Sequence, residues 1–244
     1  MVSKEKYVNY YYYYYYNLWY FLLRIFHVRK IQLTLPSCPS PVVPEFVIIT
    51  PELTASVIVH LRENFFADEP LNKAVGLCRR GEPHEELERL CSATMADGLS
   101  IAAIENNQVT KDFYSLDKIK QSDDEKYNKI FTILYSVSRD LDLFNTYRTD
   151  CIMECRIVSV SSEMRGRGMA KQLISRSLEL AREHGLKMFK VDATGAYSQR
   201  ICRSLRMREA RCVRYADYRD EAGQQVFSVP PPHSSLCIMI AELA

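Results

Sequence analysis

The chain reads as an α/β protein. Three observations carry this. From residue 45 onward, short β-branched or apolar runs alternate with segments whose apolar residues recur every three or four positions. Two of those helical segments run into a glycine, Gly98 and Gly185, where a left-handed residue commonly ends a helix. Hydrophobic residues are 47% and charged residues 25% of 244 positions. That is a globular composition, and it excludes wholesale disorder or a collagen-like fibre.

The elements follow in order. Phe46–Ile49 is a short β-branched run ended by Pro51, a first strand. Leu53, Val57, Leu61 and Phe65 form a stripe at spacing four, a helix over 53–65, broken by Pro70. Residues 84–95 carry Leu87, Leu90, Cys91 and Met95 as a second helix. Leu99–Ile104 is a strand, and Asn106-Asn107 suits a hairpin turn because Asn tolerates positive φ. Ser122 to Glu125 has the capping-box spacing and opens a helix carrying Ile130, Leu134, Val137 and Leu141. Residues 151–160 read as one long strand, and 168–184 as a helix with Leu173, Ile174, Leu178 and Ala181 on one side. Met188–Ala193 is a strand, 197–205 a short helix, 207–218 a strand, and Leu236–Leu243 the last strand.

Residues 1–44 are a different kind of sequence. Residues 10–16 are seven consecutive Tyr, and Pro36, Pro39, Pro41 and Pro44 then form an extended linker. The apolar run from Leu18 is broken by Arg24, so this segment reads as a low-complexity leader rather than an anchor or signal. The expected division is leader and linker over 1–44 and one domain over 45–244. The leader holds five Lys/Arg against Glu5, and the domain 27 basic against 29 acidic residues. A mildly acidic domain suits a cationic small molecule and argues against nucleic acid as the main partner. The eight Cys include no C-x-x-C pair. They read as free thiols in a reducing cytosol, with no metal site.

The chemistry concentrates in "RIVSVSSEMRGRGMAKQLISRSLELAREHG" (156–185). A strand ends at Val160, a loop brings Arg165, Gly166, Arg167, Gly168, Met169 and Ala170, and a helix begins there. Free backbone N–H groups at a helix start cradle an anion. The glycines let backbone approach it, and the arginines add charge. No Gly-Lys-Ser/Thr is present, which excludes a Walker loop. Lys171 stands where the dinucleotide fingerprint needs Gly or Ala, which excludes that motif too.

The spacing R-x-x-G-x-A at Arg165, Gly168 and Ala170 resembles the acetyl-CoA pyrophosphate loop of the GNAT N-acetyltransferase superfamily. "ENFFADEPL" (63–71), "KYNKIFTIL" (126–134), "DLFNTY" (142–147), "DATGAYSQRICRSLRM" (192–207) and "PPPH" (230–233) narrow it. Together they resemble the insect-type arylalkylamine N-acetyltransferases from about Phe46 to the C-terminus. The resemblance implies a central mixed twisted sheet flanked by helices. It implies acetyl transfer from acetyl-CoA to an amine of the dopamine, serotonin or tyramine kind, by a cytoplasmic monomer without metal, nucleic acid or membrane. It places the general base on Glu69, the pantetheine strand on Ile157, Val158, Ser159 and Val160, and the pyrophosphate loop on Arg165–Ala170. A family serine falls on Ser198. A second family serine falls on Cys202, where the thiol is a departure, expected near the CoA sulfur and open to alkylation. His233 is left outside the catalytic set, and His60 and His184 read as exposed helix residues.

One further departure concerns a hairpin. The family carries a full returning strand after the second one, whereas "AIENNQV" (103–109) passes into "TKDFYSLDKIKQS". The returning strand is expected to be cut after Val109 unless Thr110–Leu116 substitutes for it. This leaves open a relative that binds CoA without catalysis, and an acetyltransferase for polyamines.

Overall fold

The computed structural model describes residues 44–105, 108–109 and 122–243. The readings of the Tyr-rich run, the Asn106-Asn107 turn and Thr110–Leu116 lie outside the described residues. Strand β1 (Glu45–Ile48) pairs antiparallel with β2 (Ile101–Glu105), from Glu45↔Ile104 to Ile48↔Ile101. Pro51 does more than end this strand. It sits in the first turn of helix α1 (Pro51–Asn64), where its missing N–H costs nothing. Pro70 does the same for α2 (Pro70–Val75), which ends at left-handed Gly76. Helix α3 (Glu85–Met95) leads back to β2.

Among the described residues the hairpin strand β3 is Gln108–Val109, paired through Ile104↔Val109 and Glu105↔Gln108. Helix α4 spans Glu125–Arg139. Its N-cap is Asp124, whose Oδ1 accepts from the N–H groups of Lys126 and Tyr127 at 2.8 and 3.2 Å. Ser122 is thus not the cap that the capping-box spacing implied. Its hydroxyl donates to Glu86 Oε1 and accepts from Asp124 N–H. A one-turn helix, α5 (Leu143–Thr146), precedes β4.

Instead of one long strand over 151–160, β4 is Met153–Cys155. It pairs parallel with β5 (Met188–Ala193), from Met153↔Phe189 to Cys155↔Val191. Helix α6 (Met169–Glu183) forms the crossover between them. Gly185 at φ 69° closes it, with Leu186 N–H reaching Ala181 O at 3.0 Å. Helix α7 (Ala196–Ser204) leads to β6 (Arg208–Arg214), and β7 (Ser235–Glu242) inserts antiparallel between β5 and β6. The expected single sheet therefore divides among the described residues into an antiparallel β1-β2-β3 and a mixed β4-β5-β7-β6.

Alternation on β5 and β7 separates two cores. Phe189, Val191, Ala193, Cys237 and Met239 face α6 and α7 with Met169, Leu173, Ile174 and Cys202. Ile238 and Ile240 join Ile130, Ile133 and Val137 of α4. A third cluster seats α1 and α3 on β1 and β2. The free-thiol reading fails at one pair. Cys212 and Cys237 are register partners on β6 and β7 and are joined by a disulfide.

Candidate active site

The loop after β4 is built as the sequence suggests. Gly166 and Gly168 sit at φ 77° and 78°, a left-handed conformation that a side chain strains, and a Cβ on either would meet open space. Gly168 is the N-cap of α6, and no side chain caps the helix there. The N–H groups of Met169, Ala170 and Lys171 thus head a four-turn helix, ready for an anion.

Arg165 is differently placed from a side chain that simply adds charge to the loop. Its Nε donates to Val160 O at 3.0 Å, and its Nη2 to Asn64 O at 2.9 Å and to Asp68 Oδ2 at 3.0 Å. Arg80 binds the other Asp68 oxygen at 2.6 Å. Burial pushes the Asp68 carboxyl up, but its bonds to Arg80 and Arg165 outweigh this and hold it below the ordinary carboxylate value. Arg165 thereby ties the loop to the segment carrying the next residue, Glu69.

Glu69 is the N-cap of α2, its Oε2 accepting from Asn72 N–H at 2.7 Å. The residue keeps some surface, but its Oε1 is sealed from solvent and accepts no hydrogen bond of normal geometry. Burial raises the Glu69 carboxyl above its usual range, against the opposing pull of the Asn72 N–H, the Thr194 side chain and the Leu71 N–H.

Thr194 follows β5, so Glu69 meets the sheet where α7 begins. There Ser198 Oγ donates to Gly195 O at 2.9 Å, and Ala196 N–H donates to His233 Nδ1 at 3.1 Å. The His233 ring stands edge-on to Tyr197, centroids 5.3 Å apart. A Cβ on Gly195 would come within 2.7 Å of His233 Nδ1 and 3.1 Å of Pro70 Cγ. Tyr215 donates to Thr194 O at 2.7 Å from the other side. Glu69, Ser198 and His233 thus each contact the Thr194–Ala196 turn.

Cys202 corrects an expectation. It lies one helical turn beyond Ser198 but is 0% exposed, packed in the core of α6, α7 and β5. Burial pushes its thiol up to about 12. Such a sulfur is neither ionised nor open to alkylation.

The segment after β4 leaves the sheet. Ile157 packs towards α1 and α3, while Val158 and Val160 pack towards α6. Ser159 is buried and bonded to His60, itself buried, which corrects the reading of His60 as exposed. On the α4 face, Glu154 and Lys190 are register partners and form an ion pair. Asp192 meets Lys190 at 2.9 Å, and Arg156 meets Glu154 at 2.9 Å. Burial opposes the Glu154 charge, but Lys190 and Arg156 together hold it at about 2.

The chain thus presents a crossover βαβ unit with an uncapped glycine loop and, tied to it through Asp68, the sealed Oε1 of Glu69. Comparison with solved structures supplies the class. The chain is 40% identical to arylalkylamine N-acetyltransferase 2 from Aedes aegypti, over 82% of this chain and 99% of that one, with a TM-score of 0.78. The chain belongs to the arylalkylamine N-acetyltransferase family and is an acetyltransferase. A polyamine N-acetyltransferase from Drosophila melanogaster (20% identity, 82% and 100% coverage, TM-score 0.73) shares the fold. So does a mosquito arylalkylamine N-acetyltransferase like 5b (16%, 82% and 100%, TM-score 0.72). No protein-family model matches the chain. Among the described residues no helix is long and apolar enough to cross a membrane.

Proposed function

We propose that the protein transfers the acetyl group of acetyl-CoA to the primary amine of an arylalkylamine. The observation that carries this is the placement of Glu69, a sealed carboxylate with raised proton affinity, one residue from the Asp68 anchor of the anion-ready loop. The pyrophosphate is assigned to Arg165–Ala170 and the pantetheine arm to Ile157–Val160.

The substrate enters as an ammonium, with a pKa near ~10 by analogy with Lys. Glu69 accepts one proton and frees the lone pair. A proton affinity above that of an ordinary carboxylate narrows the gap to the amine and makes the transfer less uphill. The nitrogen attacks the thioester carbon, and the tetrahedral oxyanion is met by backbone N–H groups of the 157–160 segment. Collapse breaks the C–S bond, expels the CoA thiolate, and leaves a second N–H proton for that sulfur. Ser198 orients this transfer. Cys202, held near 12, is a weaker acid than an ordinary thiol near ~8.5, so direct proton donation from it runs uphill.

Arylalkylamine is favoured over polyamine by the identity to the Aedes aegypti enzyme, twice that to the polyamine one. The test is thiol release from acetyl-CoA with tyramine, dopamine and serotonin against agmatine and spermidine. Turnover confined to the last two overturns the substrate class. Acetyl-CoA binding with no turnover on any amine leaves a CoA-binding relative.

A further inference from the structure

The end of α1 holds the stretch of cofactor strand that the sheet does not. β4 stops at Cys155, and among the described residues Arg156–Val160 pair with no other strand. Backbone released from a ladder needs other partners to stay in place. Helix α1 holds the segment through a side chain instead, across a sequence separation of 99 residues, with His60 Nε2 lying 2.8 Å from Ser159 Oγ. The residues are 8% and 2% exposed. One turn on, Asn64 Oδ1 accepts from Ser162 N–H at 3.2 Å, and Asn64 O accepts from Arg165.

The hydrogen pattern follows from the partners. Ser162 N–H can only donate, so the Asn64 carbonyl oxygen faces it and the amide NH2 turns towards His60. That NH2 donates to His60 O at 3.2 Å and lies 3.4 Å from His60 Nδ1. Nδ1 is then the acceptor, Nε2 carries the hydrogen, and His60 donates to Ser159 Oγ. The imidazole is held at both ends and grips the middle of the 157–160 segment from the side opposite α6.

We propose that His60 is a positioning residue for the cofactor. By holding Ser159 it fixes the position of the released segment to which the pantetheine arm is assigned. The proposal rests on the reading of Ile157–Val160 as the pantetheine strand.

The experiment measures acetyl-CoA binding by calorimetry, and kcat and KM, on the full chain and on His60→Met, His60→Gln and Ser159→Ala. Methionine fills the space without a donor. Glutamine keeps a donating nitrogen. Expected are an acetyl-CoA Kd and KM raised about tenfold in His60→Met, in line with a buried partner left unsatisfied. The kcat should fall too, because the same segment carries the proposed oxyanion donors, and His60→Gln should recover most of both. Ser159→Ala should weaken binding similarly, and adding it to His60→Met should cost little more. Wild-type affinity in His60→Met, or a loss that glutamine does not rescue, overturns the proposal while the cofactor reading stands. If His60→Met does not fold, Ser159→Ala with wild-type affinity overturns it equally. Wild-type protein that does not bind acetyl-CoA overturns both.

Discussion

Arg165 and Asp68 form a 3.0 Å ion pair across 97 residues of sequence, so the anion-ready loop and the segment bearing the proposed base are fastened to each other. The pair is half open to water, which limits its worth to stability to about 0–1 kcal/mol. Its value lies in alignment. Asp68→Asn should lower the melting temperature by no more than ~4 °C. It should lower kcat/KM for the amine by about tenfold or more, because small displacements of a base are costly to rate. A melting curve and steady-state kinetics on one preparation decide this, and intact kinetics would reduce the pair to a surface contact.

Glu69→Gln tests the base and its burial together. Turnover at pH 7 should fall ~10²-fold or more and recover in part at high pH, where free amine is supplied by solvent. Stability should move the other way. The Glu69 carboxyl binds its proton more tightly in the fold than in the unfolded chain. Its contribution is therefore fully present below the unfolded value and is lost as pH rises through the folded one. Removing the charge should raise the melting temperature at neutral pH and flatten its decline between acid and neutral pH. A melting profile parallel to wild type would contradict the buried carboxylate.

Gly168→Asp should weaken acetyl-CoA binding by about tenfold or more in calorimetry, since it places an anion where the helix head expects one. Backbone strain alone costs roughly 1–2 kcal/mol. Gly98→Asp is the control, for Gly98 has φ 74° and nothing within 4 Å of a Cβ, outside the loop. Both variants should lose similar stability, and only Gly168→Asp should lose the cofactor.

Iodoacetamide should label Cys151 before Cys202. Cys151 is exposed, although burial of its sulfur and the Asp150 charge raise its thiol and slow the reaction. Cys202 should react only on unfolding, with or without CoA. Cys202→Ser should cost about 1–3 kcal/mol in urea denaturation, as a hydroxyl is placed in a core without a provided partner. Labelling of Cys202 in the native enzyme would reopen its part in the chemistry.

Most of the element order from Glu45 onward was legible because period and punctuation are local, while the short helices α2 and α5 are too brief to show a period. The glycine loop, Gly185 and the helix stripe of 168–184 all stand where the residues imply. What escaped depends on the third dimension. Residues 151–160 read as one strand in spite of Glu154 and Arg156, and only the loss of pairing after Cys155↔Val191 ends the ladder. Ser122 has the right spacing for a cap, yet Asp124 is a stronger acceptor two residues closer. The link of Cys212 to Cys237 needs the β6–β7 register, and spacing alone does not supply it. For the candidate site, the D-E-P-L segment singles out Glu69 in the sequence, whereas the contacts of His60 with Ser159 and of His233 with Ala196 N–H gave no sign, since a single imidazole has no spacing to read.

Gly195 is constrained by its neighbours and not by its own backbone. Its φ of −140° is open to any amino acid, so replacement there carries no torsional penalty. The whole burden would land on Pro70 and His233, which a methyl group would wedge apart. A one-carbon change at this junction would therefore act through packing alone, pressing the residue next to the proposed base away from the loop that carries His233.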